Sequence, residues 1–125
     1  KNIVRIARAG HNPVILSCNG EIKTLNSKGI GLGLDSDKIF RNTIEEITLP
    51  LEKNKVFLFY TDGINEAMNN NKDEFSIERI KEHIRENIGK SSNEIQESLL
   101  NAVNRFKGNY IQNDDITSLI IKVLK

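Results

Sequence analysis

Asp62 directly follows an apolar run, in Tyr60-Thr61-Asp62-Gly63, and Asp114 and Asp115 directly precede another, in Gln112-Asn113-Asp114-Asp115-Ile116-Thr117. If the two runs are antiparallel neighbours, the end of one meets the start of the other at a single sheet edge. Two or three carboxylates then converge. Crowded carboxylates repel and raise one another's pKa unless a cation neutralises them. Hard oxygen ligands of this kind suit Mg2+ or Mn2+. The plainer alternative is an Asp-Gly turn and an Asp-Asp loop cap, because Asp is common in turns. His11, in Gly10-His11-Asn12-Pro13, has the chemistry of a metal ligand, a proton shuttle or a phosphate donor; otherwise it satisfies loop backbone groups. His83 flanks the apolar stripe of a helix and reads as a surface residue. Cys18 reads as a small core hydrophobe. Gly29, Gly31 and Gly33 invite a phosphate-loop reading, but no Lys-Ser/Thr follows them and no helix clearly starts there.

These residues must be positioned by a small scaffold. The chain has 125 residues, which is one domain at most. Lys and Arg number 18 against 17 Asp and Glu, a formal charge of +1, so the basic excess that nucleic-acid binding needs is missing. A single cysteine excludes an internal disulfide framework and any cysteine-rich zinc site. No apolar run approaches the ~20 residues of a membrane span. A cytoplasmic protein with no membrane segment is the expectation. The chain opens with Lys1 and is patterned from Ile3 onward, which reads as a piece of a longer protein.

The elements follow from local pattern. Residues 3–9 read as a strand, Gly10 to Pro13 as a turn, and residues 14–18 as a strand with Val14, Leu16 and Cys18 on one face. Asn19-Gly20 is a two-residue hairpin turn, and residues 21–25 return. Residues 26–38 read as an irregular loop and 40–49 as a strand closed by Pro50. Residues 55–60 are nearly all apolar, as in a strand covered on both faces. Gly63–Asn70 reads as a short helix. Ser76 is the expected N-cap of a helix carrying Ile77, Ile80, Ile84 and Ile88, stopped at Gly89. Ser91 and Glu94 form a capping box for a helix that carries Ile95, Leu99, Ala102, Val103 and Phe106 and ends at Gly108. Residues 116–124 close the chain as a strand with Leu119, Ile121 and Val123 inward. The order is β-rich, then αα, then β, which is α+β.

Taken together, Ala9-Gly10-His11-Asn12-Pro13, Thr61-Asp62-Gly63-Ile64-Asn65-Glu66-Ala67 and Asp114-Asp115-Ile116-Thr117 resemble the C-terminal part of the SpoIIE/RsbU-type branch of the PPM metal-dependent protein phosphatases. Glu74-Phe75 with its following helix, and Phe106-Lys107-Gly108, fit too. The resemblance covers nearly all of residues 1–125. It implies a β-sandwich flanked by helices and a centre of two Mn2+ or Mg2+ ions held by aspartates. A water acidified by the metals would attack phosphorus directly, with no phosphoenzyme intermediate. The implied substrate is a phosphoserine or phosphothreonine protein, in this branch often an anti-anti-sigma-type partner, with a sensor domain upstream. Asp62, with Gly63, matches the family's metal-binding Asp-Gly, and Asp114 its C-terminal metal-binding Asp. Asp115 stands where the eukaryotic branch carries Asn. His11 falls where other branches carry a Gly-Asp that helps hold a third metal. The family's first motif, Asp-Val-x-Gly-His-Gly, would lie upstream of Lys1 with the N-terminal strands. The expectation is therefore an incomplete site, an isolated chain that is inactive or nearly so, and open sheet edges that favour pairing between copies or a compact rearranged sheet. Two other classes remain beside the enzyme: a non-catalytic phosphatase-like module that binds a partner, and a plain interaction domain whose aspartates are caps.

Overall fold

A computed structural model describes residues 2–125. Ten elements follow in order: β1 (Ile3–Ala7), β2 (Val14–Cys18), β3 (Glu21–Leu25), α1 (Asp37–Thr43), β4 (Glu46–Pro50), β5 (Val56–Tyr60), α2 (Asp62–Asn65), α3 (Ser76–Asn87), α4 (Ser92–Lys107) and β6 (Ser118–Lys122). β1 pairs antiparallel with β4 in a two-stranded sheet. A four-stranded sheet has the order β3-β2-β5-β6, also antiparallel throughout. The α+β class and its antiparallel sheets match the expectation.

Strand alternation sorts the apolar side chains into two layers. Ile15, Val56, Leu58, Tyr60 and Ile120 face the helices and pack with Ile64, Ile80, Ile84, Ile95, Leu99 and Val103. Val14, Leu16 and Phe57 face the other way and pack with Ile6, with Val4, Leu49 and Phe59 beside them. β5 is buried along nearly its whole length, as its apolar run requires. The β2–β3 hairpin turns through Asn19 (φ 51) and Gly20 (φ 82), the positive angles that Asn-Gly supplies readily.

Several local expectations are corrected. Residues 37–43 are helical, not loop and strand: Ser36 caps Ile39 N, and Asp37 pairs with Arg41 one turn on. No side chain of α1 is buried, so the alternation read over 40–49 belongs only to β4. α1 also follows the glycine run, against the expectation that no helix starts there. Its first turn is acidic, through Asp37, so it repels rather than cradles phosphate. α2 spans four residues and stops at Asn65, short of Asn70. The start of α3 carries no side-chain cap; Ser76 is its first residue, at a positive φ of 70. The capping box of α4 forms as the Ser91/Glu94 spacing requires. β6 turns Ile120, not Leu119 and Ile121, toward the helices; Leu119 is 55% and Ile121 44% exposed. Their cross-strand partners Phe59 and Phe57 place them on the face shared with β1 and β4.

His83 is not a plain surface residue. Its Nε2 lies 2.6 Å from Ser98 Oγ on α4, and the Asn87 amide donates to the His83 carbonyl at 2.7 Å. Among the described residues, no helix is long and apolar enough to cross a membrane.

Candidate functional site

β5 and β6 are antiparallel neighbours, with Tyr60 opposite Ser118. The end of β5 and the approach to β6 therefore share one edge of the sheet. Backbone bonding continues past the strands: Thr61 N donates to Thr117 O at 3.0 Å. The Thr61 hydroxyl donates to Asp115 O at 2.8 Å and accepts from Thr117 N at 3.0 Å. Asp62 and the Asp114-Asp115 pair thus sit on two segments stitched together on either side of this edge. The convergence read from sequence holds at the level of the backbone.

Gly63 explains why the stitch is tight. A Cβ at this position would lie 2.4 Å from Asp115 O and 3.0 Å from Asp114 O. Only a residue without a side chain permits this approach. Gln112, which sequence reasoning left aside, adds a third tie: its Nε2 donates to Asp114 O at 2.7 Å and Gly63 O at 3.2 Å. Its position two residues before Asp114 was visible, but nothing local announces that its amide reaches across to Gly63.

The turn with His11 forms the opposite wall. Gly10, His11 and Asn12 line a small open cavity of about 130 Å³ with Thr61 and Asp62. Arg8 holds this turn from behind, donating to His11 O at 2.8 Å and to Ser27 O at 2.7 and 2.9 Å. Asn12 Nδ2 reaches Asn65 Oδ1 on α2 at 3.3 Å. His11 Nδ1 lies 3.2 Å from the Asn12 carbonyl, which can only accept, so Nδ1 carries the proton in that contact and Nε2 is left for a ligand. A second cavity, smaller at about 60 Å³ and more enclosed, is lined by Gly63, Glu66, Gln112, Asn113 and Asp114.

The donor set suits a hard divalent ion. Asp62, Asp114 and Asp115 are exposed carboxylates, and among the described residues none of them forms an ion pair. Oxygen donors free of a protein cation are the kind that Mg2+ or Mn2+ takes. The described residues nevertheless hold no group of three or more His, Cys, Asp or Glu side chains gathered as a metal site. This chain brings the segments of Asp62 and of Asp114-Asp115 together without such a group among its described residues. What it offers fits part of a coordination sphere.

The family model described as Stage II sporulation protein E (SpoIIE) matches residues 1–124. The chain belongs to the SpoIIE family. Solved structures carry the same fold as this SpoIIE-family chain. The SiaA-PP2C domain of Pseudomonas aeruginosa aligns with a TM-score of 0.76 at 22% identity, over 94% of this chain and 46% of that one. The RsbU and RsbW domains of Rv1364c from Mycobacterium tuberculosis align at 0.77 and 20% identity, over 98% and 33%. The PP2C phosphatase domain of SpoIIE from Bacillus subtilis, with a fragment of its regulatory domain, aligns at 0.74 and 17% identity, over 97% and 34%. No curated protein sequence matches. The chain spans less than half the length of these solved chains. Its architecture is thus part of a PP2C-type domain of the SpoIIE/RsbU branch.

Proposed function

We propose that this chain supplies part of the catalytic centre of a metal-dependent serine/threonine protein phosphatase. The observation that carries the reading is the position of Asp62 and Asp114 on two segments joined at one sheet edge. Asp62 and Asp114 would hold Mn2+ or Mg2+, with Asp115 and the Gly63 backbone as further candidate ligands. Ions of this class polarise a phosphoryl oxygen and acidify a nearby water when bound. This chain's own residues fix the backbone segments that carry the aspartates through Thr61 and Gln112, and hold the His11 turn opposite Asp62 through Arg8 and Asn12. With Nδ1 donating to the Asn12 carbonyl, His11 Nε2 is the ring atom that would accept a proton from a water, and as imidazolium would donate to a phosphoryl or leaving-group oxygen.

The substrate class is a phosphoserine or phosphothreonine protein of a bacterial signalling circuit, of the anti-anti-sigma type, in the cytoplasm. A sensor domain upstream would regulate the site. The missing ligand of the sphere comes from upstream of Lys1 in this reading, and the isolated chain is inactive or nearly so. A second reading has an observation of its own: without three gathered ligands, the same fold serves as a non-catalytic module that binds a partner.

Mn2+-dependent hydrolysis of a small aryl phosphate separates the two. It is measured for the full-length protein that carries this chain, for Asp114→Asn in that protein, and for the chain alone. Activity in the first and loss in the other two supports the phosphatase. A full-length protein inert with both Mn2+ and Mg2+ turns the reading toward the partner-binding module.

A further inference from the structure

We infer that Gln112 is a positioning residue whose side-chain amide locks the Asp62-Gly63 turn to the Asp114-Asp115 loop and so sets the two carboxylates for a divalent ion. The inference rests on the reading of Asp62 and Asp114 as metal ligands. The geometry is specific. One nitrogen, Nε2, donates to Asp114 O at 2.7 Å and to Gly63 O at 3.2 Å. Both targets are carbonyl oxygens, so only the NH2 end of the amide can face them. The other end, Oε1, is buried and has no partner. An unpaired buried acceptor is costly. The side chain therefore holds this orientation because of what its nitrogen ties together, not because its whole amide is satisfied.

The tie is needed at this place. Thr61 and Thr117 extend the β5–β6 ladder and fix the start of the Asp62 segment. Asp114 lies outside that ladder, in a stretch without regular structure. Like charges on neighbouring segments disfavour their approach, and among the described residues neither Asp62 nor Asp114 forms an ion pair with a protein cation. Thr61 anchors the neighbouring Asp115 carbonyl at 2.8 Å, and the Gln112 amide ties the Asp114 carbonyl itself. A neutral double donor holds the Asp114 backbone against Gly63 without adding a charge that competes with the ion. Groups that orient metal ligands from behind in this way commonly change metal affinity by about 10–100-fold when removed.

The test is a Mn2+ titration of the full-length protein, with free ion counted by electron paramagnetic resonance and the metal-free melting temperature recorded for each variant. Gln112→Met keeps the length and removes the donor. Gln112→Glu replaces the donor with a carboxylate facing two carbonyls. Gln112→Asn keeps a donor too short to reach both. Asp114→Asn is the control on the ligand. The expected result is Mn2+ binding weakened about 10–100-fold in the Met and Glu variants and less in the Asn variant, in protein that the metal-free melting curve shows to be folded at the titration temperature. The charge makes Gln112→Glu the sharpest arm: a residue that touched the ion would bind it more tightly as Glu, so tighter binding overturns the inference. Unchanged affinity in all three variants overturns it too, as does a fall in melting temperature with no change in affinity. If Asp114→Asn binds as wild type does, or wild type binds no Mn2+, the metal reading itself fails and the inference with it.

Discussion

At the scale of single residues, the site depends on backbone closeness as much as on carboxylates. Gly63→Ala puts a Cβ 2.4 Å from Asp115 O, and carbonyl oxygen cannot rotate aside as a flexible side chain would. The two loops must separate. A misplacement of this size costs about a hundred-fold in rate in a positioned centre, and we expect that loss in aryl phosphate turnover by the full-length protein; full activity in Gly63→Ala would refute the close approach. The carboxylates were legible in sequence because Asp-Gly and Asp-Asp border apolar runs. Gln112 was not, because its partners are backbone atoms 2 and 49 residues away. His83 differs from its expected surface role because its partner, too, lies on another element. Its helical position borders the stripe, but Ser98 on the next helix meets its ring. Burial pushes the His83 imidazole below its ordinary value, Lys90 and Arg105 act in the same direction, and Glu86 opposes them. A base with a lowered folded pKa binds fewer protons folded than unfolded. Stability therefore falls as pH drops below the ordinary 6.5 and through the lower folded value. Melting temperatures at pH 8 and pH 5 should show this drop, and His83→Gln should flatten it.

At the scale of elements, pattern and caps were strong guides wherever packing agreed with them. α4 has both a capping box and an apolar stripe, and it forms as read. Ser91→Ala should cost about 1 kcal/mol in chemical denaturation. Leu99→Ala, at a fully buried position between α4 and the sheet, should cost about 2–5 kcal/mol. A Leu99 cost no larger than that of Ser91 would contradict the packing. α1 is not legible as a helix in the sequence because it buries nothing and so has no apolar period; its local marks are the Ser36 cap and the exposed Asp37–Arg41 pair. β6 is apolar on both faces: Val123, just past its end, packs on the second cluster as the alternation predicts, but Leu119 and Ile121 stay exposed. Ile120 meets the helices, while Leu119 and Ile121 follow Phe59 and Phe57 toward the other sheet.

At the scale of the whole molecule, three layers stack: the β1–β4 ribbon, the four-stranded sheet and the helices. The middle layer is well covered on its helical face. On the other face Leu119 and Ile121 of the edge strand β6 are exposed. Open edges and apolar faces of this kind invite pairing. The 125-residue chain prepared alone should therefore self-associate, and the double change Leu119→Lys with Ile121→Lys should reduce it. Sedimentation that gives a sharp monomer at high concentration for the unaltered chain would refute this expectation.

The sequence by itself determined the fold class, the order of most strands and helices, and the three motifs that mark the SpoIIE/RsbU branch. It could do so because turns, caps and hydrophobic periods are local, and a motif is a string. Tertiary structure alone decided which face of β6 turns inward, that the Asp62 and Asp114 segments are drawn together through Gly63, Thr61 and Gln112, and that three ligands do not gather within these residues. Each of those depends on atoms far apart in the chain meeting at contact distance, and no local pattern carries that information.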